Sequence, residues 1–303
     1  MKAVPAAMLR TFRAGEFNLA RLVDAKAGQQ ISVCLPARDE ADTVGPIVAT
    51  IRAELVDRVG LVDEILVVDD HSADRTAEVA ADAGATVLRA EEILPQYGEG
   101  HGKGEALWKS LYASKGDIIA WCDADVRDFD AAFVVGLVGP LLTRPDLVFV
   151  KGFYERPAPT AAGRGGRVTE LVARPIVSLL FPHLSAIVQP LAGEYAGRRE
   201  ALELLPFVEG YGVDLGLLID VAARFGLDAM AQVDLGTRIH RNRPLDELSP
   251  QATSVLQTAL RRADPGLVGG STVLVRPGLD PLAVDATERP PLIGVPDYRR
   301  SSA

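Results

Sequence analysis

An apolar run, Asp117-Ile118-Ile119-Ala120-Trp121-Cys122, stops at Asp123-Ala124-Asp125 and so places two carboxylates where a buried strand ends. Strands apolar on both faces belong to parallel sheets covered by helices, and such sheets bind ligands outside the carboxyl ends of their strands. Two acids separated by one small residue can be shared between a divalent cation and the diphosphate it carries. An isolated Asp-x-Asp also recurs in loops and caps, so the rest of the chain decides its meaning.

The same grammar repeats along the N-terminal half. Residues 30–35 form a β-branched run ending at Pro36, residues 64–68 another ending at Asp69-Asp70, and residues 85–88 a third. Helical spacing fills the gaps at 43–55, from the cap Ser72-Ala73-Asp74-Arg75-Thr76 to Ala83, and at 105–113 after a glycine-rich loop at 98–104. This β-α-β-α-β-α-β order specifies an α/β fold with a Rossmann-like, mostly parallel central sheet flanked by helices. Beyond Asp125 the pattern predicts helices at 131–142, 168–180 and 212–225, and extended segments at 147–153, 195–197 and 228–234. The domain reading is an N-terminal segment (1–29), a catalytic domain (30–250, divided at 125/126) and a C-terminal helix with a Pro/Gly-rich tail (251–303). From Pro265 onward no period holds, which predicts an arm packed on the surface.

Composition narrows the function classes. The 303 residues are 48% hydrophobic and 24% charged, as in a soluble globular protein. A formal charge of -9 argues against a nucleic-acid partner but allows a local basic pocket. Cys34 and Cys122 both sit in apolar runs, as reduced core thiols of a cytoplasmic protein do. The N-terminal apolar patch is short and broken by Pro5, unlike a signal sequence, and Pro182, His183, Gln189 and Pro190 interrupt the least charged stretch, 175–192, so no membrane partner is expected.

Four polar clusters therefore fall on one predicted rim: Pro36-Ala37-Arg38-Asp39-Glu40, Asp69-Asp70-His71-Ser72, Gly102-Lys103-Gly104 and Asp123-Ala124-Asp125. With their flanking strands they resemble the nucleotide-sugar half of GT-A-fold glycosyltransferases. Four longer stretches, Gly102 to Trp108, Gly166 to Pro175, Gln189 to Tyr195 and His240 to Leu248, resemble the actinobacterial glucosyl-3-phosphoglycerate synthases.

That resemblance implies a retaining transfer of glucose from UDP-glucose to 3-phosphoglycerate, with Mg²⁺ or Mn²⁺ and a homodimer; GDP-mannose is the alternative donor. Carried over by residue, Asp125 and His240 are the metal ligands. Pro36, Ala37, Arg38, Glu40, Asp70, Lys103, Asp123 and Ala124 border the donor. Gly166, Arg167, Thr169, Arg238, Asn242 and Arg243 form the acceptor pocket, where exposed N–H groups and arginine forks suit a phosphate and a carboxylate. Asp125, Glu194 and Asp214 are the catalytic candidates. Two departures stand out: Asp70-His71-Ser72 replaces a common Ser-Gly-Ser, and Asp214 replaces a usual Glu. The rival readings are a polyprenyl-phosphate or polysaccharide glycosyltransferase, which lacks support from any membrane-binding segment, and a non-catalytic nucleotide-sugar sensor, which the intact Asp125 and His240 disfavour.

Overall fold

The computed structural model describes residues 9–155, 166–238, 245–268, 272–284, 287–296 and 298. The strands predicted from apolar runs appear as β2 (Ile31–Ala37), β3 (Glu64–Asp69), β4 (Thr86–Arg89), β5 (Ile118–Trp121), β6 (Phe149–Glu155), β7 (Tyr195–Arg198) and β9 (Met230–Thr237). Together with β1 (Arg10–Arg13), which sequence periodicity does not reveal, they build an eight-stranded sheet in the order β1-β9-β6-β7-β5-β2-β3-β4. Only β7 runs against its neighbours β5 and β6; every other adjacent pair is parallel. The fold is the expected α/β arrangement. Because β7 is reversed, its start lies on the same rim as the ends of β5, β6 and β9, and this brings Gly193 and Glu194 to Asp123.

Alternation along each strand divides the core. Val33, Leu35, Ile118 and Ala120 face a cluster with α1 (Leu19–Lys26), α2 (Val44–Ile51), α3 (Thr76–Asp82) and α5 (Ala131–Thr143). Cys34, Ile119 and Trp121 face the other, with α4 (Lys103–Ala113), α6 (Arg174–Leu180), α7 (Arg199–Leu202) and α8 (Val213–Phe225). Burial raises both thiols, Cys34 and Cys122, to pKa values of about 12, and both are free. Two predicted helices change pitch: π turns occupy Arg52–Asp57 after α2 and Thr169–Ala173 before α6. A long helix, α9 (Leu245–Ala263), packs on α8.

After Pro265 the described residues stay on the surface as far as Leu282, with Val273, Val275 and Leu279 exposed, and only the last described part departs from the expected surface arm. A hairpin of β10 (Thr272–Leu274) and β11 (Leu282–Val284) leads to β12 (Glu288–Arg289), which pairs with β8 (Phe207–Val208). Leu292 and Val295 then enter the core, and the Trp108 indole donates to the Pro290 carbonyl at 2.9 Å. Arg289 is buried against Glu105, itself paired with Lys109 at 2.8 Å. The segment lacks periodicity because isolated side chains, not a helix or strand face, carry its burial. Among the described residues no helix is long and apolar enough to cross a membrane.

Candidate active site

The loops after β2 and β3 form one hydrogen-bonded wall. The Ala37 carbonyl accepts the Asp70 N–H at 2.8 Å, the Asp39 and Glu40 N–H groups donate to Ser72 and Thr76 hydroxyls, and the Asp39 carboxylate accepts the Ala73 N–H. Pro36, Ala37, Arg38 and Glu40 thus line the end of β2 beside buried Asp70. One Asp70 oxygen accepts the Gly102 N–H at 2.8 Å; Gly102 has φ +89°, and a Cβ there would press on the Gly210 backbone. This turn fixes the start of α4 and hence Lys103.

At the end of β5 the carboxylates and cations interlock. Lys103 Nζ lies 2.8 Å from Asp123 and 3.2 Å from Asp214, whose Oδ1 also accepts the Tyr195 hydroxyl at 3.0 Å. Arg238, leaving β9, is buried and ion-pairs with Glu194; it reaches Asp125 at 3.2 Å and Asp123 at 3.9 Å. Burial alone would lower the Lys103 amine, but Asp123 and Asp214 outweigh it and hold its pKa well above 10.5. A Cβ on Gly193 would overlap the Asp123 carboxylate, so glycine is required for this approach.

Four carboxylates, Asp123, Asp125, Glu194 and Asp214, therefore face the two fixed cations Lys103 and Arg238, a surplus of negative charge. The side chains of Asp123 and Asp125 are 26% and 34% exposed, against 1% for Glu194 and 7% for Asp214. Accessible oxygen donors with surplus negative charge fit a hard divalent cation such as Mg²⁺ or Mn²⁺. The second expected ligand, His240, lies outside the described residues, as do Asn242 and Arg243.

Arg238 is thus placed within the carboxylate cluster, whereas Gly166, exposed Arg167 and buried Thr169 begin the helical segment that packs on α9. Sequence reasoning missed Lys151. It is 1% exposed on β6, its Nζ lies 4.3 Å from the Tyr195 ring centroid, and it has no hydrogen-bond partner. Burial pushes its amine down to about 7, Lys103 acting in the same direction and Asp214 and Asp123 against it. A lone charge inside the apolar run Leu147 to Phe153 was the available signal. A separate cavity of about 320 Å³, lined by Ser32, Glu64, Lys115 and others, opens at the opposite rim, away from these groups.

Residues 32–203 match the family described as Glycosyl transferase family 2. The chain is 45% identical to the glucosyl-3-phosphoglycerate synthase of Petrotoga mobilis over 312 aligned positions, covering 96% of this chain and 95% of that one. It superposes with a TM-score of 0.85 on the Mycobacterium tuberculosis glucosyl-3-phosphoglycerate synthase in complex with Mn²⁺, UDP-glucose and phosphoglyceric acid, at 45% identity and 96% and 99% coverage. The mannosyl-3-phosphoglycerate synthase of Rubrobacter xylanophilus gives the same TM-score of 0.85 at 40% identity, covering 94% of this chain and 97% of that one. The chain belongs to glycosyl transferase family 2, within it to the glucosyl-3-phosphoglycerate synthase family.

Proposed function

We propose that the protein transfers glucose from UDP-glucose to the 2-hydroxyl of 3-phosphoglycerate with retention of anomeric configuration. The observation that carries this reading is the accessible Asp123 and Asp125 pair, backed by Lys103 and Arg238, at the strand rim of a fold shared with relatives of that activity. A divalent cation held by Asp125 and His240, with Asp123 beside it, supplies Lewis-acid neutralisation of the leaving diphosphate. Pro36, Ala37, Arg38 and Glu40 flank the base and ribose, and Asp70 faces the base. Lys103, kept protonated by its two carboxylates, adds positive charge at the donor. Arg167, the Gly166 N–H and the Thr169 hydroxyl receive the acceptor phosphate, with Asn242 and Arg243 completing the anion pocket. Arg238 orients Asp125 and Glu194, and its assignment to the acceptor pocket rests on the family resemblance.

Retention needs no enzymic base, and the pairing of the remaining carboxylates supports it. Glu194 is held by Arg238, and Asp214 by Lys103 and Tyr195. Both carboxylates are ion-paired, Glu194 through Oε1 alone with its Oε2 buried and without a hydrogen-bond partner, and in this reading the acceptor hydroxyl passes its proton to the departing diphosphate oxygen on the same face. Positioning and charge stabilisation then supply the acceleration. The two buried free thiols accord with a cytoplasmic location, and exposed Leu171 and Leu179 support a homodimer.

The mannosyl relative favours one second reading, GDP-mannose as donor. Supplying both donors at equal concentration with 3-phosphoglycerate distinguishes them: glucosyl product should predominate. A mannosyl product in excess reverses the donor assignment.

A further inference from the structure

His71 stands in a backbone conformation, φ +59°, that favours glycine, and its imidazole lies at the centre of a group of which the proposed transfer uses only Asp70. Its Nδ1 is 3.0 Å from Asp70 Oδ1, and its ring centroid is 4.4 Å from that of His101, so two of the chain's four histidines meet here. Asp70, His71 and His101 each offer a ligand atom, and these atoms all lie within 4.8 Å of one another. On the opposite side of the ring, His71 Nε2 faces Glu91 Oε2 at 3.9 Å, and both atoms are buried without a hydrogen-bond partner.

We infer that Asp70, His71 and His101 form a second metal site, for a borderline transition ion such as Zn²⁺, chemically distinct from the Asp125 site. Two imidazoles and one carboxylate suit zinc, whereas the all-oxygen carboxylates at the end of β5 suit Mg²⁺ or Mn²⁺. Ligand atoms around tetrahedral zinc, at bonds of about 2.1 Å, stand on the order of 3.4 Å apart. The Asp70–His71 pair, at 3.0 Å, needs to open by only a few tenths of an ångström, and exposed His101, within 4.8 Å of both, needs a modest approach. With the ion on Nδ1, the Nε2–H of His71 turns to Glu91, and drawing the two together satisfies both orphaned atoms. A carboxylate on the far nitrogen is the usual support of a metal-bound histidine. The fourth position stays open.

Zinc at this place and a nucleotide base both require Asp70, so they exclude one another; this consequence alone rests on the proposed donor placement. The site is tested on the full-length chain, with excess Mg²⁺, by titrating Zn²⁺ against a chromophoric chelator. Wild type and Asp125→Ala should bind one Zn²⁺ alike, and His71→Gly and His101→Gln should bind it weaker by a factor of about 10 to 100. Glycine at position 71 relieves the positive φ, so that variant keeps its fold. Equal affinity in wild type and both histidine variants, or a loss confined to Asp125→Ala, overturns the site. Zn²⁺ should also raise the KM for UDP-glucose in wild type and not in His101→Gln. Bound zinc with an unchanged KM leaves the site standing and removes Asp70 from the donor base.

Discussion

Replacing Lys151 by Met removes an amine from a place that disfavours its charge while keeping a flexible chain of similar length against Tyr195. Burial takes the amine from 10.5 down to about 7 in the folded protein. That difference corresponds to about 5 kcal/mol, at about 1.4 kcal/mol for each tenfold step, as an upper scale for the cost of the buried ammonium. The sign follows from proton counts. Below about pH 7 both folded and unfolded chains hold the proton, and the full cost applies; between about 7 and 10.5 only the unfolded chain holds it, so wild-type stability rises with pH. Urea unfolding of the ligand-free protein should therefore show Lys151→Met more stable than wild type by a few kcal/mol near pH 6. That margin should shrink by about 1.4 kcal/mol per pH unit from pH 7 to pH 9. Cys34 and Cys122, raised from 9.0 to about 12, act with the opposite sign at higher pH and are common to both proteins. A margin that does not change between pH 6 and pH 9 refutes the buried, titrating lysine.

Other substitutions probe the site and its supports. Gly193→Ala places a methyl in the Asp123 carboxylate and should break its contact with Lys103. A loss of transfer of about 10²-fold is expected with the unfolding midpoint little changed; full activity would show that Asp123 does not need its present position. Arg289→Met should cost about 3 kcal/mol in chemical denaturation, the low end for a broken buried ion pair because Lys109 still accompanies Glu105. A change within 0.5 kcal/mol, the ordinary scale for surface positions, would contradict the anchoring of the C-terminal segment. Arg167→Ala should raise the KM for 3-phosphoglycerate by about 10-fold or more and leave that for UDP-glucose unchanged. Equal effects on both substrates would detach Arg167 from the acceptor.

The first half of the sheet is legible because β2, β3 and β5 are buried on both faces and stop at polar clusters, β3 and β5 abruptly in acid at Val68-Asp69-Asp70 and Cys122-Asp123. The reversed direction of β7 is not, since a short run such as Tyr195 to Arg198 carries no sign of its partners' orientation. Yet that reversal brings Gly193 and Glu194 to the rim. Strand β1 escapes notice because it is an edge strand of alternating burial whose pairing depends on distant β9. The resemblance assigns Arg238 to the acceptor pocket and gives no sign of its burial, which follows from its position at the end of β9 against Glu194. Lys151 reads as an ordinary strand lysine until the neighbouring strands close over it. The metal, donor and acceptor residues come from the family resemblance, which supplies what local pattern cannot. The geometry adds the interlocking of Lys103, Asp123 and Asp214.

Proton NMR of the protein mixed with UDP-glucose, 3-phosphoglycerate and Mn²⁺-free Mg²⁺ buffer tests the transfer most directly, because it reports donor loss, acceptor glucosylation and anomeric configuration together. An α-glucoside of 3-phosphoglycerate should appear in step with UDP. It should be abolished by chelation and reduced by at least about 10²-fold in Asp125→Ala. A β-linked product, UDP release without glucosylated acceptor, or undiminished transfer after chelation would contradict the account.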